Sequence, residues 1–137
     1  MKYLLIIFLF LSSSLSWSKD VSRDDLVKRD GLFYEKFTDM PFTGNVTGKK
    51  QGKIIEGKPE GEFLTYYESG QLKEKVIYKD GKKEGEGLWY YENGQLEEKV
   101  NYKEGEKNGE WLNYYDNGQL VRTRIYKDGK LIETITP

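Results

Sequence analysis

The chain has 137 residues and nearly balanced charge, with 22 basic and 23 acidic side chains and a net charge of −1. It contains no cysteine and no histidine, which excludes disulfides, thiolate or imidazole metal sites, and catalytic pairs built on Ser–His or Cys–His. The chain also lacks the basic excess that nucleic-acid binding requires. We therefore predict no catalysis, no cofactor, no metal and no nucleic-acid partner.

The N-terminus has the three parts of an export signal. Lys2 provides a basic start, an apolar run extends from Tyr3 to Leu11, and Ser16-Trp17-Ser18 suits cleavage by signal peptidase. The apolar run is shorter than the ~20 residues that span a bilayer. We predict a signal peptide at 1–18 and export to the periplasm, cell envelope or extracellular space, with no integral membrane segment after cleavage. An uncleaved N-terminal anchor is the alternative.

Residues 19–60 are predicted to form an N-terminal capping segment of degenerate hairpins. Two short strands, Phe42 to Thr47 and Lys53 to Glu56, are expected around a turn from Gly48 to Gly52. A terminal unit that departs from the repeat pattern protects the exposed end of a repeat array.

The start of this segment allows two interpretations. Asp30-Gly31 is a turn signal that would join a strand at Leu26-Val27 to a strand at Leu32-Phe33-Tyr34. A short helix from Asp24 to Lys28, capped by Ser22, is the alternative.

Three units of 24 residues follow, at 61–84, 85–108 and 109–132. Each contains a version of one heptapeptide, which begins at Tyr66, Tyr90 and Tyr114, and the first two units agree at 16 of 24 positions. This period is typical of stacked repeat architectures. Residues 133–137 are predicted to be a C-terminal tail.

Each unit is predicted to be one β-hairpin. Turn pairs such as Asp80-Gly81 and Asn93-Gly94 separate apolar stretches, and they favour hairpins because both turn positions accept positive φ. Between the turns, Leu72, Val76 and Tyr78 alternate with lysines on the opposite face of the strand. The predicted fold is therefore all-β, an elongated antiparallel meander of repeated hairpins that forms a single-sheet solenoid.

The recurring unit Gly-x-(aromatic or Leu)-x-x-Tyr-Tyr-x-Asn-Gly-Gln-Leu, followed by Tyr-Lys-Asp-Gly-Lys, resembles the MORN-repeat variant family. The opening residues 30–34 and 41–44, Asp-Gly-Leu-Phe-Tyr and Pro-Phe-Thr-Gly, are similar to the start of bacterial members classed with YwqK-type antitoxins. The resemblance implies a MORN-like sheet and an antitoxin role.

Aromatic side chains are the candidates for partner binding. Consecutive tyrosines recur in each unit, and because neighbouring strand residues face opposite sides, one tyrosine column should be more exposed than the other. Tryptophans stand at positions that differ between the units, which marks edges, caps or specific contacts. Packing within the sheet is the alternative for all of them. The candidate partner-binding residues are Trp89, Trp111, Tyr67, Tyr91 and Tyr115.

The sequence thus predicts an exported, non-enzymatic scaffold whose partner is a protein. The resemblance implies that this partner is a toxin, in an antitoxin or immunity-type role. The alternative is a glycan-binding or structural cell-envelope protein that uses an exposed aromatic face. A hydrolase would need two carboxylates in different environments, whereas Glu62, Glu86 and Glu110 recur at equivalent positions of the repeat.

Overall fold

The computed structural model describes residues 19–137, and the predicted signal peptide at 1–18 lies outside them. The described chain is built from strands and one 3₁₀ turn at Arg23–Asp25. The strands are β1 (Lys19–Ser22), β2 (Leu26–Arg29), β3 (Leu32–Glu35), β4 (Gly44–Thr47), β5 (Lys50–Ile55), β6 (Lys58–Tyr66), β7 (Leu72–Lys79), β8 (Lys82–Tyr90), β9 (Leu96–Lys103), β10 (Glu106–Tyr114), β11 (Leu120–Lys127) and β12 (Lys130–Ile135).

Ten of these strands form one sheet, in the order β1-β4-β5-β6-β7-β8-β9-β10-β11-β12. From β4 onward each strand pairs antiparallel with the next one along the chain. The predicted all-β meander of hairpins is confirmed. A parallel pairing of β1 with β4 adds a strand at the N-terminal edge. β12 continues to Ile135 and so includes residues 133–135 of the predicted tail.

The N-terminal segment differs from its prediction in one turn. β5 already begins at Lys50, so the connection after Thr47 consists of Gly48 and Lys49 alone. The expected turn from Gly48 to Gly52 is wrong, because Gly52 lies within the strand and pairs with Val46.

The start of the segment combines both sequence interpretations. The hydroxyl of Ser22 accepts the backbone N–H of Asp24 at 3.3 Å and caps a helix that is limited to a single 3₁₀ turn. Residues 26–29 are then extended and pair with β3 across the Asp30-Gly31 turn. The hairpin prediction is therefore the one that holds beyond Asp25.

Two kinds of turn alternate along the repeats. Asp80 and Gly81 have positive φ of 48° and 82° and form the two-residue turn that joins β7 to β8. Between β8 and β9 only Gly94 has positive φ, and the side chain of Asn93 accepts the N–H of Gln95 at 2.9 Å. The expectation of positive φ at both Asn-Gly positions is wrong, because this longer loop uses Asn93 in an Asx turn.

A glycine bulge bends the long strands of the repeats. In β10, residues 108–110 lie opposite the single residue 101 of β9, and Gly109 within this bulge has φ of 97°. Gly85 occupies the equivalent position of β8 with φ of 75°, a conformation that side chains with a Cβ rarely adopt. In β12 the equivalent residue is Glu133, and the register there shifts by only one residue.

The main apolar cluster lies in the N-terminal segment rather than in the repeats. It consists of Val21, Leu26, Phe42, Val46 and Ile54. Because β2 contributes Leu26 while β4 and β5 contribute Val46 and Ile54, the cluster fixes the β2–β3 hairpin against the sheet.

The repeats continue the same buried face with fewer side chains. Val76 and Val100 are each only 2% exposed and lie on what we call the inner face of the sheet, together with Phe63 and Tyr78. The opposite, outer face carries charged side chains such as Glu62, in line with the alternation of side chains along a strand.

Tyrosine hydroxyls connect consecutive repeats. Tyr67 Oη donates to the backbone carbonyl of Tyr90 at 2.8 Å, and Tyr91 Oη donates to the carbonyl of Tyr114 at 2.8 Å. Desolvation, reinforced by the nearby Glu97 carboxylate, raises the pKa of both phenols. Tyr115 belongs to the last repeat and is 54% exposed.

These contacts predict different effects for equivalent tyrosines. Tyr91→Phe should lower the free energy of unfolding by about 1 kcal/mol, because it removes a hydrogen bond between repeats. Tyr115→Phe is the matched control and should change it by less than about 0.5 kcal/mol, as for most exposed positions. Urea denaturation measures both values, and equal losses would contradict the connecting role of Tyr91.

Candidate functional site

Lysines and tyrosines alternate from strand to strand in one row of the inner face. Lys83 lies opposite Tyr78 on the neighbouring strand, and Lys107 lies opposite Tyr102. Each lysine also lies near the tyrosine on its other side. The ammonium of Lys83 is 4.9 Å from the ring centroid of Tyr102, and that of Lys107 is 5.2 Å from the ring centroid of Tyr126. Each ammonium therefore lies within the range of cation–π attraction.

Each repeat also places one larger aromatic ring in the middle of this face, from one of two positions. Phe63 and Trp111 occupy equivalent positions in the first and third repeats, where the second repeat has Gly87. The ring of Trp89 fills that space instead, since a Cβ at Gly87 would lie 2.9 Å from it. The positions that vary in sequence thus maintain one ring per repeat.

The lysines also lie over these tryptophans. The Lys83 ammonium is 5.3 Å from the ring centroid of Trp89, and the Lys107 ammonium is 3.1 Å from that of Trp111. Desolvation lowers the pKa of Lys107, although the carboxylate of Glu98 acts in the opposite direction. The half-buried Lys107 ammonium is therefore poorly solvated where it contacts Trp111.

The third repeat makes the inner face more basic. Arg124 stands where the preceding repeats have Val76 and Val100, and its guanidinium is 4.7 Å from the ring centroid of Trp111. Arg124 Nη1 donates to Asn113 Oδ1 at 3.4 Å. We call Lys83, Trp89, Lys107, Trp111 and Arg124 the cationic strip.

Two lysines of the outer face differ from the cations of the strip because they are paired with carboxylates. On the outer face, Lys75 is paired with Glu62 at 2.6 Å and Lys99 with Glu86 at 2.7 Å, and the hydrogen bond to each carboxylate raises the pKa of the lysine. Among residues 19–137, no cation of the strip lies within ion-pair distance of a carboxylate. The strip therefore offers positive charge that aromatic rings hold in place.

The strip is also accessible. The β2–β3 hairpin packs over the N-terminal end of the inner face, where Phe33 and Phe63 join the apolar cluster. The strip lies further along the same face, and its side chains are only partly buried.

The structure separates the predicted contact residues into three groups. Trp89 and Trp111 lie together in the cationic strip. The hydroxyls of Tyr67 and Tyr91 are used between repeats, which gives these two residues a structural role. Tyr115 lies exposed at the end of the array.

Sequence reasoning missed the cations of the strip. Lys83 and Lys107 occupy a position where the first repeat has Pro59, and Arg124 replaces a buried valine of the repeat. The replacement of valine by Arg124 was the available signal, because a charge at a buried position of a repeat is unusual.

Comparison with known families identifies the repeats. The sequence model of the MORN repeat variant family matches three segments, residues 59–80, 83–104 and 107–128. These three repeats belong to the MORN repeat variant family. The matches share the 24-residue period and begin two residues before the units defined above. MORN repeats generally act as modules that interact with proteins or membranes. The comparison with curated proteins gave no match.

One further property concerns membranes. Within residues 19–137, no helix has the length and apolar character needed to cross a bilayer.

The exchange of ring positions within these MORN repeats predicts a coupling. Gly87→Ala should lower the free energy of unfolding by about 1–2 kcal/mol, because the new methyl group overlaps the Trp89 ring. The same substitution in a Trp89→Thr background, which has the residue of the first repeat at position 89, should cost measurably less. Urea denaturation of the four proteins of this cycle provides the comparison. Equal costs in both backgrounds would mean that Trp89 does not fill the space above Gly87.

Proposed function

We propose that this MORN-repeat protein is an exported, non-enzymatic scaffold that binds an acidic segment of a protein partner along the cationic strip. The observation that carries the proposal is the set of three cations, Lys83, Lys107 and Arg124, that lie on aromatic rings without a carboxylate within ion-pair distance in the described chain. Export is supported by the pattern of residues 1–18.

The chemistry of the strip favours carboxylates in the partner. Desolvation disfavours the charged form of Lys107 and lowers its pKa. A carboxylate that approaches Lys107 would stabilise the charged form through a charge-assisted hydrogen bond. Tryptophan, tyrosine and arginine are also the residues that contribute most strongly at protein interfaces, and the strip contains Trp89, Trp111 and Arg124. A protein segment that combines Asp or Glu with apolar side chains would satisfy both the cations and the rings.

The ion pairs of the outer face favour the inner face as the site that binds carboxylates of the partner. Two lysines of the outer face, Lys75 and Lys99, are already paired with Glu62 and Glu86 on the adjacent strands. An incoming carboxylate would have to displace these partners, whereas it would meet no competing carboxylate within ion-pair distance of Lys107.

We predict that neutralising the strip weakens binding of an acidic probe. The probe is a fluorescent peptide of alternating Glu and Phe, and Lys107→Gln/Arg124→Gln should weaken its binding by about tenfold or more. The matched control Lys103→Gln/Lys127→Gln removes two lysines from the outer face, at the ends of β9 and β11, and should leave the affinity nearly unchanged. Fluorescence anisotropy measures both. Equal weakening by the two variants would count against the strip.

The finer proposal is that the partner is a toxin, which the protein occludes in an antitoxin or immunity-type role. The similarity of residues 30–34 and 41–44 to the start of YwqK-type antitoxins supports it. The purified protein should then form a stoichiometric complex with the product of a neighbouring toxin gene, detected by size-exclusion chromatography. Lys107→Gln/Arg124→Gln should weaken both the complex and the protection of growth. Growth protection without any complex would contradict occlusion.

A glycan of the cell envelope is the second candidate ligand. The observation that favours it is the pair of partly buried tryptophan rings, Trp89 and Trp111, on the accessible part of the inner face. Tryptophan rings can pack against sugar rings. In this case binding would depend on the rings more than on the charges of Lys107 and Arg124.

A further inference from the structure

The β2–β3 hairpin and the inner face enclose a cavity of about 210 Å³ at the N-terminal end of the sheet. Its apolar walls come from both elements: Phe33 on β3, Val46 and Ile54 on the first strands of the sheet, and Pro59 and Phe63 on β6. We call this cavity the chamber. It lies at the end of the inner face opposite to the cationic strip's Arg124.

The side chains of charged residues that line the chamber are all cationic. They belong to Arg23, Lys28 and Lys50. None of the ion pairs within residues 19–137 includes these three side chains. The Arg23 guanidinium is 4.9 Å from the ring centroid of Phe33 and also donates to the carbonyl of Leu26 at 3.1 Å.

The Lys28 ammonium approaches the same ring from the second strand, at 5.6 Å from the centroid of Phe33. Lys50 projects from the inner face of β5, opposite Thr65. The cations therefore come from the 3₁₀ turn, the hairpin and the sheet, so all three parts of the N-terminal segment contribute to one positively charged rim around an apolar interior.

We propose that the chamber binds a small carboxylate with an apolar tail, such as an aryl or alkyl carboxylic acid. The tail packs against Phe33 and Phe63, and the carboxylate remains at the rim with Lys28 and Lys50. The site does not depend on the proposed role of the cationic strip.

Size and charge together select this class of ligand. The chamber volume of 210 Å³ corresponds to about seven water molecules in the liquid and is below the range of about 300–1,000 Å³ that is typical of drug-sized ligands. Burial of an apolar tail contributes free energy in proportion to its area. A neutral ligand would leave the rim cations without a counter-charge, whereas a carboxylate would form charge-assisted hydrogen bonds with them.

The test uses the full chain and two probes that differ only in charge, phenylpropionate and phenylpropionamide. Titration is followed by NMR chemical shifts of backbone amides. Phenylpropionate should shift the amides of Phe33 and Phe63, and phenylpropionamide should bind about tenfold more weakly because it cannot pair with the cations.

Substitutions then locate the charge effect. Lys28→Gln/Lys50→Gln should weaken phenylpropionate binding by about tenfold. Both side chains are exposed, so the fold should tolerate their replacement. Lys53→Gln/Lys79→Gln is the matched control, because Lys53 lies on β5 with its side chain on the outer face and Lys79 is exposed at the end of β7. This control should leave the affinity unchanged.

Three results would overturn the proposal. The first is the absence of phenylpropionate binding up to millimolar concentration. The second is equal affinity for the acid and the amide. The third is binding that Lys107→Gln/Arg124→Gln weakens while Lys28→Gln/Lys50→Gln does not, since this would place the ligand on the cationic strip.

Discussion

Hydrogen bonding between neighbouring strands is the interaction on which the rest of this protein depends. The repeats form one sheet layer, so they have no opposing layer to bury their inner face, and within them only Val76 and Val100 are almost completely buried apolar residues. Strand pairing must therefore hold each repeat to the next, helped by the phenols of Tyr67 and Tyr91. The larger apolar cluster at the N-terminal end anchors the array.

The same backbone supports different surfaces because the repeats keep the positions of the strands and change the side chains. The position of Val76 in the first repeat becomes Arg124 in the third, and the ring at Phe63 moves to Trp89 in the second. The inner face consequently changes along one sheet, from a part that the β2–β3 hairpin covers to an accessible part that carries the cationic strip. The cationic strip lies where the sequence departs from the repeat, while the repeat itself maintains the fold.

Local signals explain how much of this was predictable. The 24-residue period and turn pairs such as Asp80-Gly81 act within a few residues, and the strands and their antiparallel order follow from them. The pairing of β1 with β4 was not predictable, since only four residues of each strand take part and they are far apart in sequence. The Tyr67 hydrogen bond likewise joins residues 23 positions apart. For the site, the two tryptophans could be predicted from the sequence. Arg124 was signalled by its replacement of a valine of the repeat, whereas the lysines required the strand register, which alone places Lys107 opposite Tyr102.

The bulge glycines also bear on how the array ends. A further repeat would need β12 to bend as β8 and β10 do, and those strands bend at Gly85 and Gly109 with positive φ. Glu133 stands at this position in β12 and the strand takes a different register, which sets Ile135 opposite Thr123 on β11. A further hairpin would therefore meet β12 in a register that differs from that of β8 and β10. The bend that Gly85 and Gly109 allow in β8 and β10 is thus reduced in β12, where Glu133, a residue with a Cβ, accompanies a register shift of one residue.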